Sequence, residues 1–287
     1  MATGGDSMMT GNSPPHTLLL RTADQSVLDP ARLLDVFAAQ RRQLCDDLRS
    51  LSPEQWSAPT RCPGWSVQDT VRHLGDVTVA VAPDPGDRMF DVTAGFDPRT
   101  TPRHWLAAST GESPADTLDR LVATTEKSLA VARDRLARDD RFDVVLPYGP
   151  MDWTVQALHV LWDSWLHERD IFLPLGVNRP TNPETTSCAT AYGLFIAAAV
   201  AQKFGAQAHQ RLELGGDGGG VFEVVADESV TLTATPAATR VESAAPPAAE
   251  VTDALAGRGS ATVLDGVPDE SRTALTVLAT FFTTPAE

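Results

Sequence analysis

The stretch WDSWLHERDI, Trp162 to Ile171, places Asp163 and His167 four residues apart, with His159 four residues before the aspartate. On an α-helix such residues share a face and stand about 6 Å apart along the axis. Imidazole and carboxylate are the donors that divalent metals take. They are equally the members of an ordinary i,i+4 polar stripe, and spacing alone leaves both readings open. His159 and His167 are separated by about 12 Å of helical rise and about 80° of rotation. One ion is hard to share between them, so His159 is expected outside the ligands of any metal bound by Asp163 and His167. A further histidine, His73, sits beside the apolar face of an earlier helix.

Other reactive types carry less. Cys62 lies in a Cys-Pro-Gly turn with no histidine near it in sequence and reads as a buried structural thiol. The glycine cluster GGDGGG, residues 215–220, is followed by a strand-like run, whereas a phosphate loop needs a helix there. It reads as a hairpin connection. His16 lies in the leader, and His104 and His209, with no acidic partner at helical spacing, read as surface or capping residues.

The elements that must position these groups are legible from caps and periodicity. Asp29-Pro30 opens a helix whose Leu34, Phe37, Leu44, Leu48 and Leu51 form an apolar stripe ending near Ser52-Pro53. Ser66 with Asp69 forms a capping box for a second helix lined by Val67, Thr70, Val71 and Leu74. A less regular region with Pro83, Pro85, Pro98 and Pro102 follows. Ser113-Pro114 then starts a third helix, LPYGPMD reads as a turn, and Asp152 caps a fourth helix running to about Phe172. Four amphipathic helices predict a four-helix bundle over 28–180. From 181 to 287 a small-residue helix, three β-rich runs and two further helices predict a smaller α+β domain. The fold class is thus mainly α with a smaller α+β domain.

Composition bounds the function. The 287 residues carry a formal net charge of -15, which argues against nucleic acid or an anionic membrane as the main partner. Three scattered cysteines make no disulfide framework, so a reducing cytoplasm is expected. Residues 1–27, rich in Gly, Ser, Thr and Pro at their start, read as a flexible leader. No run has the roughly 20 apolar residues of a membrane span.

The segment TRCPGWSVQDTVRHLGD, residues 60–76, resembles the signature of the mycothiol-dependent maleylpyruvate isomerase family, within the DinB-like superfamily of metal-binding bundles. DSWLHERDI, 163–171, is similar to the carboxylate and histidine of that family's fourth helix, with Asp163 where glutamate is usual. The series RLEL, FEVV, ESVTLTAT and DALAGRG looks like the sterol-carrier-like domain that members carry after the bundle. The resemblance implies His73, Asp163 and His167 as ligands of a divalent metal, zinc first. It also implies mycothiol as cosubstrate and a small electrophilic, carboxylate-bearing substrate that is isomerised or S-conjugated. Arg258 would anchor the substrate carboxylate from the C-terminal domain. Two neutral imidazoles and one carboxylate leave an open coordination position, the composition of a catalytic rather than a structural zinc site. The rival readings are a non-catalytic ligand carrier and a metal-binding interaction protein. The residues that would bind mycothiol are not legible.

Overall fold

The structure, a computed structural model, describes residues 16–21, 26–81, 97, 100–140, 143–146, 149–177, 179 and 182–283. The bundle is built from α1 (Pro30–Arg49), α3 (Val67–Ala80), α5 (Pro114–Ala137) and α6 (Trp153–Phe172), with the short α2 (Pro53–Trp56) and α4 (Thr101–Ala108) between them. α1 and α3 each pack against both α5 and α6. The expected caps are in place. Asp29 accepts from Ala31 N–H, Asp152 accepts from Thr154 N–H, and Ser66 and Ser113 complete capping boxes with Asp69 and Asp116.

The C-terminal part holds α7 (Pro183–Lys203), the strands β4 (Ala208–Leu214), β5 (Gly220–Ala226) and β6 (Val230–Pro236), α8 (Ala248–Leu255) and α9 (Asp269–Thr283). β5 pairs antiparallel with both β4 and β6, setting Phe222 opposite Leu212 and Ala234. Buried residues alternate along each strand, and this inner face packs on α7 and α9. α7 also packs on α6 and α1. That double burial explains why a helix of Ala, Thr and Gly with Tyr192 and Phe195 has no polar face. One apolar core therefore runs from the bundle through α7 to the sheet, without a break near residue 180.

Three expectations are corrected. Thr17–Leu20, expected in a flexible leader, form strand β1, parallel to β6 at the sheet edge. Leu20 is buried, and the strand covers backbone groups that β6 would otherwise leave open. The LPYGPMD segment is more than a turn: β2 (Asp143–Leu146) pairs antiparallel with β3 (Gly149–Asp152), favoured by Val144 and Val145. Thr101–Ala108, expected to be irregular, is helical, with Pro102 in its first turn. Pro83, Pro85 and Pro98 lie outside the described residues.

GGDGGG connects β4 to β5 as a hairpin. Gly218 has a positive φ of 74°, and a Cβ there would lie 2.6 Å from Ser187 N, so the turn rests directly on α7. Among the described residues no helix is long and apolar enough to cross a membrane.

Candidate metal centre

The bundle core is divided. One apolar cluster holds Leu34 and Phe37 of α1, Val77 and Ala80 of α3, Leu129 and Ala132 of α5, and Leu158 and Leu161 of α6. The other holds Leu44 and Leu48, Val71 and Leu74, Leu118 and Leu121, and Ile171 from the same four helices. Between them in sequence on each helix lies a buried polar residue: Arg41 on α1, Asp76 on α3, Thr125 on α5, and Asp163 with His167 on α6. His73, next to Leu74, is buried too. Unpaired polar groups cost several kcal/mol in such a position, so a polar layer through a bundle core needs a partner or a use.

Within this layer Asp163 Oδ1 stands 3.7 Å from His73 Nε2 and 3.5 Å from His167 Nε2. One ligand atom from each of the three residues fits within 4.8 Å of the others. These separations are long for hydrogen bonds. They are close to the roughly 3.4 Å that separates tetrahedral ligand atoms about an ion with bonds of about 2.1 Å. Asp163 Oδ2 and His73 Nδ1 are buried with no hydrogen-bond partner among the described residues. The donor types and the orphaned oxygen both fit a divalent cation. Burial opposes ionisation of Asp163, yet the two histidines hold its pKa well below the usual carboxylate value. Burial lowers the pKa of His73. Burial also disfavours charge on His167, but Cys62, Asp163 and Asp170 outweigh it and raise that pKa well above the usual imidazole value.

His167 is oriented from its other side. Its Nδ1 lies 3.0 Å from Asp170 Oδ2, three residues on along α6. Asp170 has no exposed side-chain surface and also accepts from Arg61 Nε at 2.9 Å and from Arg258 Nε at 3.2 Å. Burial works against its charge, but His167, Arg258 and Arg61 keep it ionised and lower its pKa. An ionised Asp170 holds a hydrogen on His167 Nδ1, so that when the ring gives up its other proton, as a metal ligand must, the Nε2 lone pair faces His73 and Asp163. The ion pairs continue outward: Asp253 of α8 binds Arg61 at 2.9 Å and Arg169 at 2.6 Å. Arg258, Asp170, Arg61, Asp253 and Arg169 thus tie the Cys-Pro-Gly-Trp turn, α6 and the end of α8 together. Trp65 of that turn packs against both imidazoles, its ring centroid 4.9 Å from His73 and 6.1 Å from His167. Gly64, with φ of 79°, supplies the left-handed backbone the turn needs.

Arg258 stands at this cluster, but its carboxylate partner is the protein's own Asp170. A second arm donates to Ala256 O at 2.8 Å, and Phe282 covers the guanidinium. Cys62 is buried, as expected, yet its Sγ lies 3.6 Å from His167 Nδ1 and 3.1 Å from Asp170 Oδ2. The histidine absent from its sequence neighbourhood is supplied by α6. His159 stands apart, with Nδ1 2.9 Å from Tyr192 Oη and its ring beside Trp162. His209 meets Asp227 across the β4–β5 hairpin, and His16 Nδ1 accepts from Val230 N–H. Asp170 was visible in sequence only as an acid three residues after His167. Arg41 was visible as the charged residue filling the gap between Phe37 and Leu44 in an apolar stripe.

Two crystal structures share the fold. The mycothiol-dependent maleylpyruvate isomerase aligns with a TM-score of 0.53 and a mutant of it with 0.56. Each is 12% identical, and each alignment covers 81% of this chain and 91% of the other. No curated protein matches by sequence. The sequence profile of the mycothiol maleylpyruvate isomerase N-terminal domain matches residues 37–172, which include all three candidate ligands and the Cys-Pro-Gly-Trp turn. Over these residues, a little under half of its length, the chain is similar to the mycothiol-dependent maleylpyruvate isomerase family.

Proposed function

We propose that the protein is a metal-dependent, mycothiol-using enzyme that isomerises a small unsaturated carboxylate, or adds the thiol to it, with His73, Asp163 and His167 as the metal ligands. The observation that carries this reading is the buried trio of Nε2, Nε2 and Oδ1 atoms, spaced for an ion, in the polar layer of the bundle. When bound there, a divalent cation would hold a thiol cosubstrate as its thiolate at neutral pH. Two imidazoles and a carboxylate suit zinc with a position left open, although nickel, iron and manganese accept the same donors.

The chain's own groups have separate tasks. Asp170 holds the hydrogen of His167 on Nδ1 and so keeps Nε2 available as a donor. Arg258 and Arg61 keep Asp170 ionised, which makes Arg258 a positioning residue. Trp65 packs against both imidazoles and closes one side of the pair. His159, bonded to Tyr192, takes no part as a ligand. Cys62 is a neighbour of the site and is not needed as a nucleophile when the thiol comes from outside. Three buried free cysteines suit a reducing, cytoplasmic setting.

Elemental analysis of purified protein tests the ligand set. About one divalent metal per chain is expected in the wild type, and none in His73→Ala or Asp163→Ala. Turnover should require added thiol and survive joint replacement of Cys45, Cys62 and Cys188. Full metal occupancy in both ligand variants would overturn the site. Ligand binding with no thiol-dependent turnover would favour a carrier.

A further inference from the structure

Arg41 is the least explained charge in the molecule. It is 1% exposed, and Nε, Nη1 and Nη2 all lack a hydrogen-bond partner among the described residues. Its guanidinium carbon lies over the ring of Phe37, 5.3 Å from the centroid. Buried guanidinium groups are normally paired, because an uncompensated charge in an apolar core is costly. Here all five N–H donors are unspent. Burial accordingly lowers the Arg41 pKa to about 10, partly offset by the charge of Asp163.

Arg41 is among the residues lining a groove of about 320 Å³ between α1 and α5, although its guanidinium nitrogens are themselves buried. That volume is at the lower end of the range for small-ligand sites. Thr125, whose buried Oγ1 also has no partner, lines the groove with Arg41. Three more arginines line it, Arg42, Arg49 and Arg133, against one carboxylate, Glu126. Arg49 is paired with Asp46, and Arg133 with Asp35. In a chain of net charge -15 this concentration of arginine is out of keeping with the rest of the composition.

We propose that the α1–α5 groove admits a small carboxylate, which Arg41 binds through its free guanidinium with Thr125 Oγ1 as a second donor, making Arg41 the substrate anchor that Arg258 is not free to be. The proposal rests on the enzyme reading above. Arg41 and a divalent cation against Asp163 would leave the polar layer with two positive charges, and a thiolate together with a carboxylate would cancel them. A guanidinium fork also suits a planar carboxylate better than any other available donor in the layer.

Maleate, a small cis-dicarboxylate, is the probe, and thermal unfolding of the full chain is the readout. Maleate should raise the melting temperature of the wild type. In Arg41→Met and Arg41→Gln the concentration needed for half the shift should rise at least about tenfold, the loss of a charge-assisted pair. Without ligand, Arg41→Met should melt above the wild type, because an unpaired buried charge has been removed. His73→Ala should keep the maleate shift, so a failure of the metal reading, seen in metal content, stays separate from a failure at Arg41. An undiminished shift in the Arg41 variants, or a shift lost in His73→Ala and kept in Arg41→Met, would overturn the proposal. Failure of both Arg41 variants to fold would assign the guanidinium a structural role and overturn it equally.

Discussion

Asp170→Asn removes one charge and almost no volume from the group that orients His167. In the native protein four side chains converge on that buried carboxylate: His167 Nδ1 at 3.0 Å, Arg61 Nε at 2.9 Å, Cys62 Sγ at 3.1 Å and Arg258 Nη2 at 3.2 Å. The amide turns one acceptor into a donor facing other donors. Arg61 keeps Asp253 as a partner, but Arg258, whose side chain is 12% exposed, retains only the Ala256 carbonyl as an oxygen acceptor. Breaking a buried pair from one side costs about 3–5 kcal/mol, and the low exposure of Arg258 gives little solvent relief. Urea unfolding of metal-free protein should show a loss of that size. If His167 is a metal ligand, losing its orienting carboxylate should also weaken metal binding by about 10- to 100-fold, measured by competition with a chromophoric chelator. Asp253→Asn is the control. Its partners Arg61 and Arg169 are tied to α8 and do not touch His167, so stability should fall while metal affinity stays. Native metal affinity in Asp170→Asn, or an equal loss in Asp253→Asn, would refute the reasoning.

The glycine-rich hairpin gives a second expectation. Gly218→Ala should destabilise by at least about 2 kcal/mol, combining left-handed strain with overpacking against Ser187 and Thr186. Gly216→Ala, at a similar φ of 73° with its nearest contact at 3.4 Å, should cost only the strain. Equal melting temperatures for the two variants would contradict the close approach to α7. A third expectation concerns pH. Burial pushes the Cys188 thiol up to about 12, so the folded state favours the neutral form. Its contribution is complete below the unfolded thiol value of about 8.5 and is lost as pH rises from there toward 12. Wild-type stability should therefore fall relative to Cys188→Ala by up to about 1.4 kcal/mol per pH unit above that point. A difference that stays constant from pH 8 to 10.5 would show that Cys188 is not desolvated in the fold.

Local order was written in the sequence because it depends on neighbours a few residues apart. The caps at Asp29, Ser66, Ser113 and Asp152 and the 3.6-residue stripes are of this kind. The glycine hairpin was legible too, since no helix follows it. The candidate ligands were legible in a weaker sense: spacing marked Asp163 and His167, and resemblance added His73. What the chain could not show was which distant residues meet. Cys62 and His167 are 105 positions apart and touch because α3 and α6 pack side by side. Arg258, expected to face a substrate, meets Asp170 because the end of α8 reaches α6. β1 looked like a leader because a four-residue strand has little character until β6 offers it an edge. Arg41 stood at an apolar position of its stripe from the start. Only the packed bundle, with apolar clusters on either side, shows that position to be a buried polar layer beside the candidate ligands, since burial is a property of all four helices together.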